Sequence, residues 1–275
     1  MKTSLIELKD ISYVYADGTK ALEHINLTIK KGKKIAIMGP NGSGKSTLFL
    51  LLTGILKPQT GQFLYQGTPV KYNKKGLLEL RSKVGIVFQD PDNQLFSANV
   101  YQEISFGPMN LGWERSVVDD AVNQVIGQME ITPFKDKATH FLSGGQKKQV
   151  SIADIIVMSP EVIIMDEPTA ALDFKHSEIV RTIINKLCDS GVTVLIATHD
   201  SDYALEWADE LILFKDGQIT KEGSPTKLFR DVELCNNTNQ TIPKVLSIYN
   251  TLMEKGILKN KECIPKSLEE LARML

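Results

Sequence analysis

One stretch limits the possible folds more than any other: Gly39-Pro40-Asn41-Gly42-Ser43-Gly44-Lys45-Ser46-Thr47. The short apolar run Ile35–Met38 precedes it, and a helical pattern from about Lys45 to Leu56 follows. Strand, glycine-rich turn and helix in that order match G-x-x-x-x-G-K-[ST], a loop that cradles phosphates. The glycines let backbone N–H groups converge on phosphate oxygens with no side chain between them. The helix N-terminus adds partial positive charge. Lys45 is then set to reach the β- and γ-phosphates of a nucleotide, and Ser46 to offer its hydroxyl to Mg²⁺.

The rest of the chain repeats the same kind of unit. Short continuous apolar runs recur at Val84–Phe88, Val162–Met165 and Val192–Ala197, separated by helical segments such as Asp119–Met129, Gly145–Met158 and Ser177–Ser190. Buried strands alternating with helices predict a parallel sheet covered on both faces, an α/β fold. Two antiparallel pieces flank it. Leu5–Tyr15 and Ala21–Ile29 alternate around the turn signal Asp17-Gly18, and Leu211–Phe214 and Gln218–Lys221 meet at Asp216-Gly217.

Near Cys235 the composition shifts, and Asn236–Gln240 reads as a polar linker. Beyond it, Thr241 and Pro243 suit a helix start, Gly256 a helix end, and Ser267-Leu268-Glu269-Glu270 a capping box. The predicted division is therefore residues 1–235 as one large domain and 236–275 as a small helical appendage.

Charge and cysteine content narrow the function. The 275 residues carry 32 basic and 33 acidic side chains, a net charge of -1, which disfavours non-specific nucleic-acid binding. The basic, aromatic stretch Lys71–Lys75 reads as a solvated loop. Cys188, Cys235 and Cys263 have no metal-ligand spacing and read as free packing thiols in a reducing compartment. The first residues lack the apolar stretch of a secretory leader, and no run approaches the ~18 apolar residues that a membrane helix needs.

Polar residues end several apolar runs. Asp166-Glu167 follows Val162–Met165, where Asp166 suits a Mg²⁺ site and Glu167 can polarise a water for attack on a γ-phosphate. Gln89 follows Val84–Phe88 and His199 follows Val192–Thr198. In a parallel sheet all of these lie at the strand ends where ligands bind. Gln89 is then a candidate for Mg²⁺ or the lytic water, and His199 for the γ-phosphate. A second anion cradle, or a plain N-cap, begins at Leu142-Ser143-Gly144-Gly145-Gln146. His24 and His140 read as structural.

The phosphate loop, Leu142–Gln146, Asp166-Glu167, Ala171-Leu172-Asp173 and His199, in that order, resemble an ATP-binding cassette (ABC) ATPase over about residues 4–235. The resemblance implies a P-loop NTPase fold with an N-terminal antiparallel subdomain, a parallel core and a helical signature subdomain. It implies a head-to-tail dimer with ATP between the phosphate loop of one subunit and the signature Leu142–Gln146 of the other. Glu167, His199 and Gln89 would then be catalytic, Ser46, Gln89 and Asp166 would hold Mg²⁺, Tyr15 would stack on adenine, and Asp173 would link the two sites.

Phe88–Phe96 and Glu103–Pro108 further resemble the ATPases of energy-coupling factor and cobalt or nickel importers. That similarity implies a cytoplasmic, peripheral subunit that pairs with a like or paralogous ATPase and binds a transmembrane coupling subunit near Gln89. A separate membrane protein would capture the substrate, a metal ion or vitamin. Pro91 and Pro108 would stiffen the contact region. Gln149, Phe174, Ser151 and Asp154 depart from the family pattern. Two other readings remain: a cassette acting on DNA or ribosomes, disfavoured by the absence of heptads in the roughly hundred residues between Lys45 and Ser143, and an ATP-dependent scaffold.

Overall fold

A computed structural model describes residues 4–258 and 264–275. Among the described residues, ten strands form two sheets. Strands β1 (Ser4–Val14) and β2 (Lys20–Lys30) make the expected hairpin, β3 (Lys34–Met38) leads into the phosphate loop, and β4 (Thr60–Tyr65) and β5 (Thr68–Pro69) return to β1. The others are β6 (Val84–Val87), β7 (Val162–Asp166), β8 (Thr193–Ala197), β9 (Glu210–Lys215) and β10 (Gln218–Gly223).

The first sheet is antiparallel in the order β2-β1-β4-β5. The second runs β10-β9-β3-β8-β7-β6; all its pairings are parallel except that of the closing hairpin β9-β10. The short apolar runs read as buried parallel strands are four of its six strands, β3, β6, β7 and β8; the closing hairpin does not flank the sheet but joins it, β9 pairing in parallel with β3. β4 was not foreseen because Gly61-Gln62 breaks its alternation. Gly61 takes φ 79°, and a Cβ there would lie 2.3 Å from the carbonyl oxygens of Lys9 and Asp10. Only glycine permits that close crossing of β1.

Helices fill both faces of the core sheet and build a lobe beside it. Helix α1 (Lys45–Leu52) follows the phosphate loop and ends four residues before the expected Leu56. Gly54 adopts φ 67°, with its N–H on Leu51 O and that of Ile55 on Leu50 O, a Schellman stop. Helix α2 (Lys74–Arg81) corrects the expectation of a loop at Lys71–Lys75: Asn73 caps it by accepting from Gly76 N.

Helices α3 (Val100–Asn110), α4 (Arg115–Gln128) and α5 (Gly144–Ile156) form the lobe that carries the signature residues. Helix α6 (Phe174–Asp189) and helix α7 (Ser201–Trp207) lie against the core sheet. Short helices α8 (Pro225–Leu228) and α9 (Val232–Asn237) lead to α10 (Lys244–Glu254) and α11 (Leu268–Ala272).

The C-terminal stretch differs in detail from its sequence reading. Residues 236–240 are not an exposed linker: α9 runs through Asn236 and Asn237, and Thr238 and Gln240 are buried and hydrogen-bonded. Pro243, not Thr241, takes the N-cap position of α10, and Gly256 ends that helix at φ 69° as expected. Ser267 caps α11, while Glu270 reaches back to Lys266 N rather than to the cap residue. Val245, Leu246 and Tyr249 join the core that also contains Met165 and Ile196. Burying such side chains stabilises the chain by roughly 1.5–3 kcal/mol each.

Among the described residues, Cys188 and Cys235 are free thiols, and Cys263 lies outside them. No described helix is long and apolar enough to cross a membrane.

Candidate functional site

The C-terminal ends of β3, β6, β7 and β8 converge on one cleft of about 580 Å³. The phosphate loop, Gln89, Asp166, Glu167 and His199 all line it, with Tyr15 at its edge. Parallel pairing puts the strand ends on one sheet edge, so that Asn41 and His199, 158 positions apart, meet there. Thr19, Ala21 and Ala170 also line the cleft and were not singled out in the sequence; small neutral residues carry no motif signal.

The loop itself is held rigidly. Gly39 and Gly44 have φ 157° and 105°, and a Cβ on either would lie 2.3 Å from a carbonyl oxygen, that of Phe214 or Ala21. Gly42, at φ 79°, faces open space. Phosphate access alone therefore does not account for the three glycines: two are also imposed by neighbouring backbone. Ser43 O accepts from Gly217 N, tying the loop to the closing hairpin.

Lys45 Nζ donates to Gly39 O at 2.8 Å, Pro40 O at 2.9 Å and Ser43 Oγ at 3.4 Å. Burial lowers its pKa, opposed by the nearby Asp166 and Glu167 carboxylates. An ammonium partly stripped of water and fixed at a helix start is well suited to an anionic group.

Ser46 Oγ donates to Asp166 Oδ2 at 3.1 Å, so the first turn of α1 and the end of β7 present two oxygens side by side. Hard oxygen donors suit Mg²⁺, which typically takes one or two protein oxygens and completes its shell with phosphates and water. The described residues contain no cluster of three or more metal-ligating His, Cys, Asp or Glu side chains. The Ser46–Asp166 pair fits a Mg²⁺ whose remaining oxygens come from a nucleotide and water.

Glu167 follows in the left-handed region at φ 45°, a strained position for a non-glycine. Its N–H donates to Ala197 O at 3.0 Å, which fixes the backbone between β7 and β8. Its Oε1 is buried without a hydrogen-bond partner, and His199 Nε2 lies 3.7 Å away. Burial, then the Asp166 charge, pushes its pKa up to about 7. A carboxyl group so poised can take a proton near neutral pH. His199 Nε2 is 3.1 Å from Asn41 Oδ1; burial first, then Lys45, lowers its pKa and favours the neutral ring. Tyr15 OH lies 3.1 Å from Thr47 Oγ1.

The signature residues and Asp173, expected to act across a dimer, lie apart from this cleft. Leu142 is buried, but Ser143 and Gly144 are exposed at the start of α5 and do not line the cleft. Ser143 accepts from Gln146 N at 3.3 Å and donates its own N–H to Gln146 Oε1 at 3.1 Å, a complete capping box. Asp173 is exposed and caps α6. Both surfaces are free to meet another molecule.

Sequence reasoning missed the support of the Gln89 loop. Lys148, 1% exposed, donates to Phe88 O at 2.9 Å and Gln89 O at 2.7 Å. Gln94 accepts from Phe88 N and donates to Ser151 O and to Asp154 Oδ2. The departure Asp154 thus belongs to a polar bridge between the loop and α5, to which Ser151 lends only its backbone carbonyl, its hydroxyl donating to Lys147 O. Gln149 Nε2 donates to Met129 O, and Phe174 is 83% exposed. His24 pairs with Asp10 on the surface and His140 packs on Phe141.

Fold and cleft together define a P-loop ATPase of the ATP-binding cassette class. The family model for ABC transporters matches residues 22–170. An energy-coupling factor transporter ATP-binding protein, EcfA, of Methanocaldococcus jannaschii is 43% identical over 91% of this chain and 90% of its own length. An ABC transporter ATP-binding protein of Methanosarcina mazei is 42% identical over 98% of this chain, which spans 60% of that relative.

Among solved structures, cbiO1 of Clostridium perfringens, part of the ABC transporter complex cbiONQ, superposes with a TM-score of 0.76 at 42% identity, covering 92% of this chain and 99% of that one. An ATP-binding cassette solved as a dimer in a post-hydrolysis state with ADP and Pi superposes at 0.73, with 28% identity over 80% of this chain and 99% of that one. The chain belongs to the ABC transporter family, as an ATP-hydrolysing, ATP-binding subunit of the energy-coupling factor type.

Proposed function

We propose that this chain powers a membrane importer of a micronutrient, a cobalt or nickel ion or a vitamin, by hydrolysing MgATP in a head-to-tail dimer. The observation that carries the reading is the split of the site. The phosphate loop, Asp166, Glu167, Gln89 and His199 share one cleft, while Ser143, Gly144 and Asp173 face outward, away from it. A second, like or paralogous, ATPase would supply its own signature residues Leu142–Gln146 to this cleft.

The residues then divide the work. Backbone N–H groups of Gly39–Thr47 and the Lys45 ammonium hold the triphosphate, and Tyr15 supports the adenine. Ser46 and Asp166, with Gln89, would hold Mg²⁺, which when bound neutralises phosphate charge. Glu167 takes a proton from the attacking water, whose oxygen bonds the γ-phosphorus as the bond to the β-phosphate oxygen breaks, leaving ADP and phosphate. Neutral His199 donates towards the γ-phosphate, and Asp173 relays the state of one site to the other. Closing and reopening of the pair would move the attached membrane subunit.

The docking face for that coupling subunit would be the groove around α3 beside the Gln89 loop. Phe96 and Met109 are 65% and 64% exposed there, unusual for large apolar side chains, and Phe106 meets Phe96 edge-on at 4.7 Å. The chain is then peripheral on the cytoplasmic face, with residues 1–235 as the motor domain and 236–275 as an appendage; a separate membrane protein captures the substrate, and no nucleic acid is involved. Co-purification from detergent-solubilised membranes tests the reading. Recovery of a coupling subunit, a small substrate-capture protein and its metal or vitamin is expected; recovery of nucleic acid or ribosomes instead would reject it.

A further inference from the structure

His176 joins two parts of the chain that face outward together. Its ring Nδ1 lies 2.8 and 2.9 Å from the two carboxylate oxygens of Asp173, and its backbone N–H donates to Asp173 Oδ1 at 2.8 Å. Facing a carboxylate, Nδ1 is the protonated nitrogen. These bonds lower the Asp173 pKa, the backbone one foremost, and keep it ionised. The other edge of the ring lies against Gly145: a Cβ there would sit 2.1 Å from His176 Cδ2 and 2.4 Å from Cγ. Gly145 is helical, with no positive φ, so backbone conformation does not demand glycine at this position. The imidazole ring does.

We propose that His176 is a positioning residue, a strut that fixes the Asp173 loop against the signature loop of its own subunit so that both reach the partner in one register. The proposal rests on the head-to-tail dimer read above. That role accounts for a histidine in the first turn of α6, where its ring can bond the capping carboxylate and still touch α5. A histidine that only stabilises the start of α6 would lower the melting temperature when its hydrogen bond is removed and leave kcat unchanged.

Three variants of the full chain separate the two halves of the strut. His176→Asn keeps an N–H donor where Nδ1 stands. His176→Phe keeps a ring against Gly145 and loses the donor. His176→Ala loses both. Steady-state ATP hydrolysis as a function of ATP and of protein concentration is measured for each, with the melting temperature.

The strut needs both contacts, so Asn, without the ring on Gly145, and Phe, without the donor to Asp173, should each lose roughly threefold to tenfold in kcat and Ala at least roughly tenfold, with KM little changed, the pattern of misplaced rather than missing contacts. Phe should melt close to the unsubstituted chain. Full kcat in either the Asn or the Phe variant would overturn the proposal, since each keeps only one half of the strut. Failure of the dimer reading is visible separately: specific activity that rises with protein concentration neither for the unsubstituted chain alone nor with a co-expressed paralogous ATPase would overturn that reading, and this role with it.

Discussion

Ser46 Oγ donates to Asp166 Oδ2 at 3.1 Å, although 120 positions separate the two residues. This bond closes the cleft between the start of α1 and the end of β7 and sets the two oxygens that would hold Mg²⁺. Glu167, the next residue, is held in turn by its N–H on Ala197 O.

Glu167→Gln should leave ATP binding intact and lower turnover by about 10²–10⁴-fold, the range for loss of a general base. ATP affinity from equilibrium binding, set beside steady-state phosphate release, checks both halves. Turnover close to that of the unsubstituted chain would remove the role.

The same substitution has a stability signature. Burial raises the Glu167 pKa to about 7, so the folded chain holds this proton more tightly than the unfolded chain does. Its stability contribution is complete below the ordinary glutamate pKa and is lost as pH rises through about 7. Glu167→Gln removes that loss, so its melting temperature should exceed that of the unsubstituted chain at pH 8, the gap narrowing towards pH 5. In kinetics, kcat/KM for ATP should climb with pH along a limb centred near 7 as Glu167 ionises.

Lys45→Ala removes a cation held by Gly39 O and Pro40 O and aimed into the cleft. Charge-assisted bonds contribute about 1.5–3 kcal/mol each, so ATP affinity should fall by roughly 10-fold to 150-fold. Isothermal titration with ATP is the check.

Gly44→Ala forces a side chain into φ 105° with its Cβ 2.3 Å from Ala21 O. Backbone strain alone costs about 1–3 kcal/mol, and the close contact adds to it. Chemical denaturation should report a loss at least that large. Gly42→Ala, facing open space, carries only the conformational part.

Most of this site was legible in the sequence for a physical reason. The phosphate loop, Asp166, Glu167, Gln89 and His199 all sit where apolar runs stop, and a parallel sheet brings such ends together. What escaped is held by contacts between distant segments. Lys148 reads as one more surface lysine of α5 until its bonds to Phe88 O and Gln89 O are seen. His176 gains meaning only from Gly145, on a different helix. β4 was hidden by a glycine whose role depends on crossing β1, and Asn236–Gln240 looked like a linker because polar residues that bond their own backbone carry the same composition as solvated ones.

The central claim is that ATP is hydrolysed between two copies of this cassette or between it and a paralogue. Sedimentation velocity of the Glu167→Gln chain, with and without MgATP, tests it most directly, repeated with a co-expressed paralogous ATPase. The account predicts a monomer that becomes a dimer with MgATP, and no such shift once Lys45→Ala is added. A chain that binds MgATP yet stays monomeric in both experiments would contradict it.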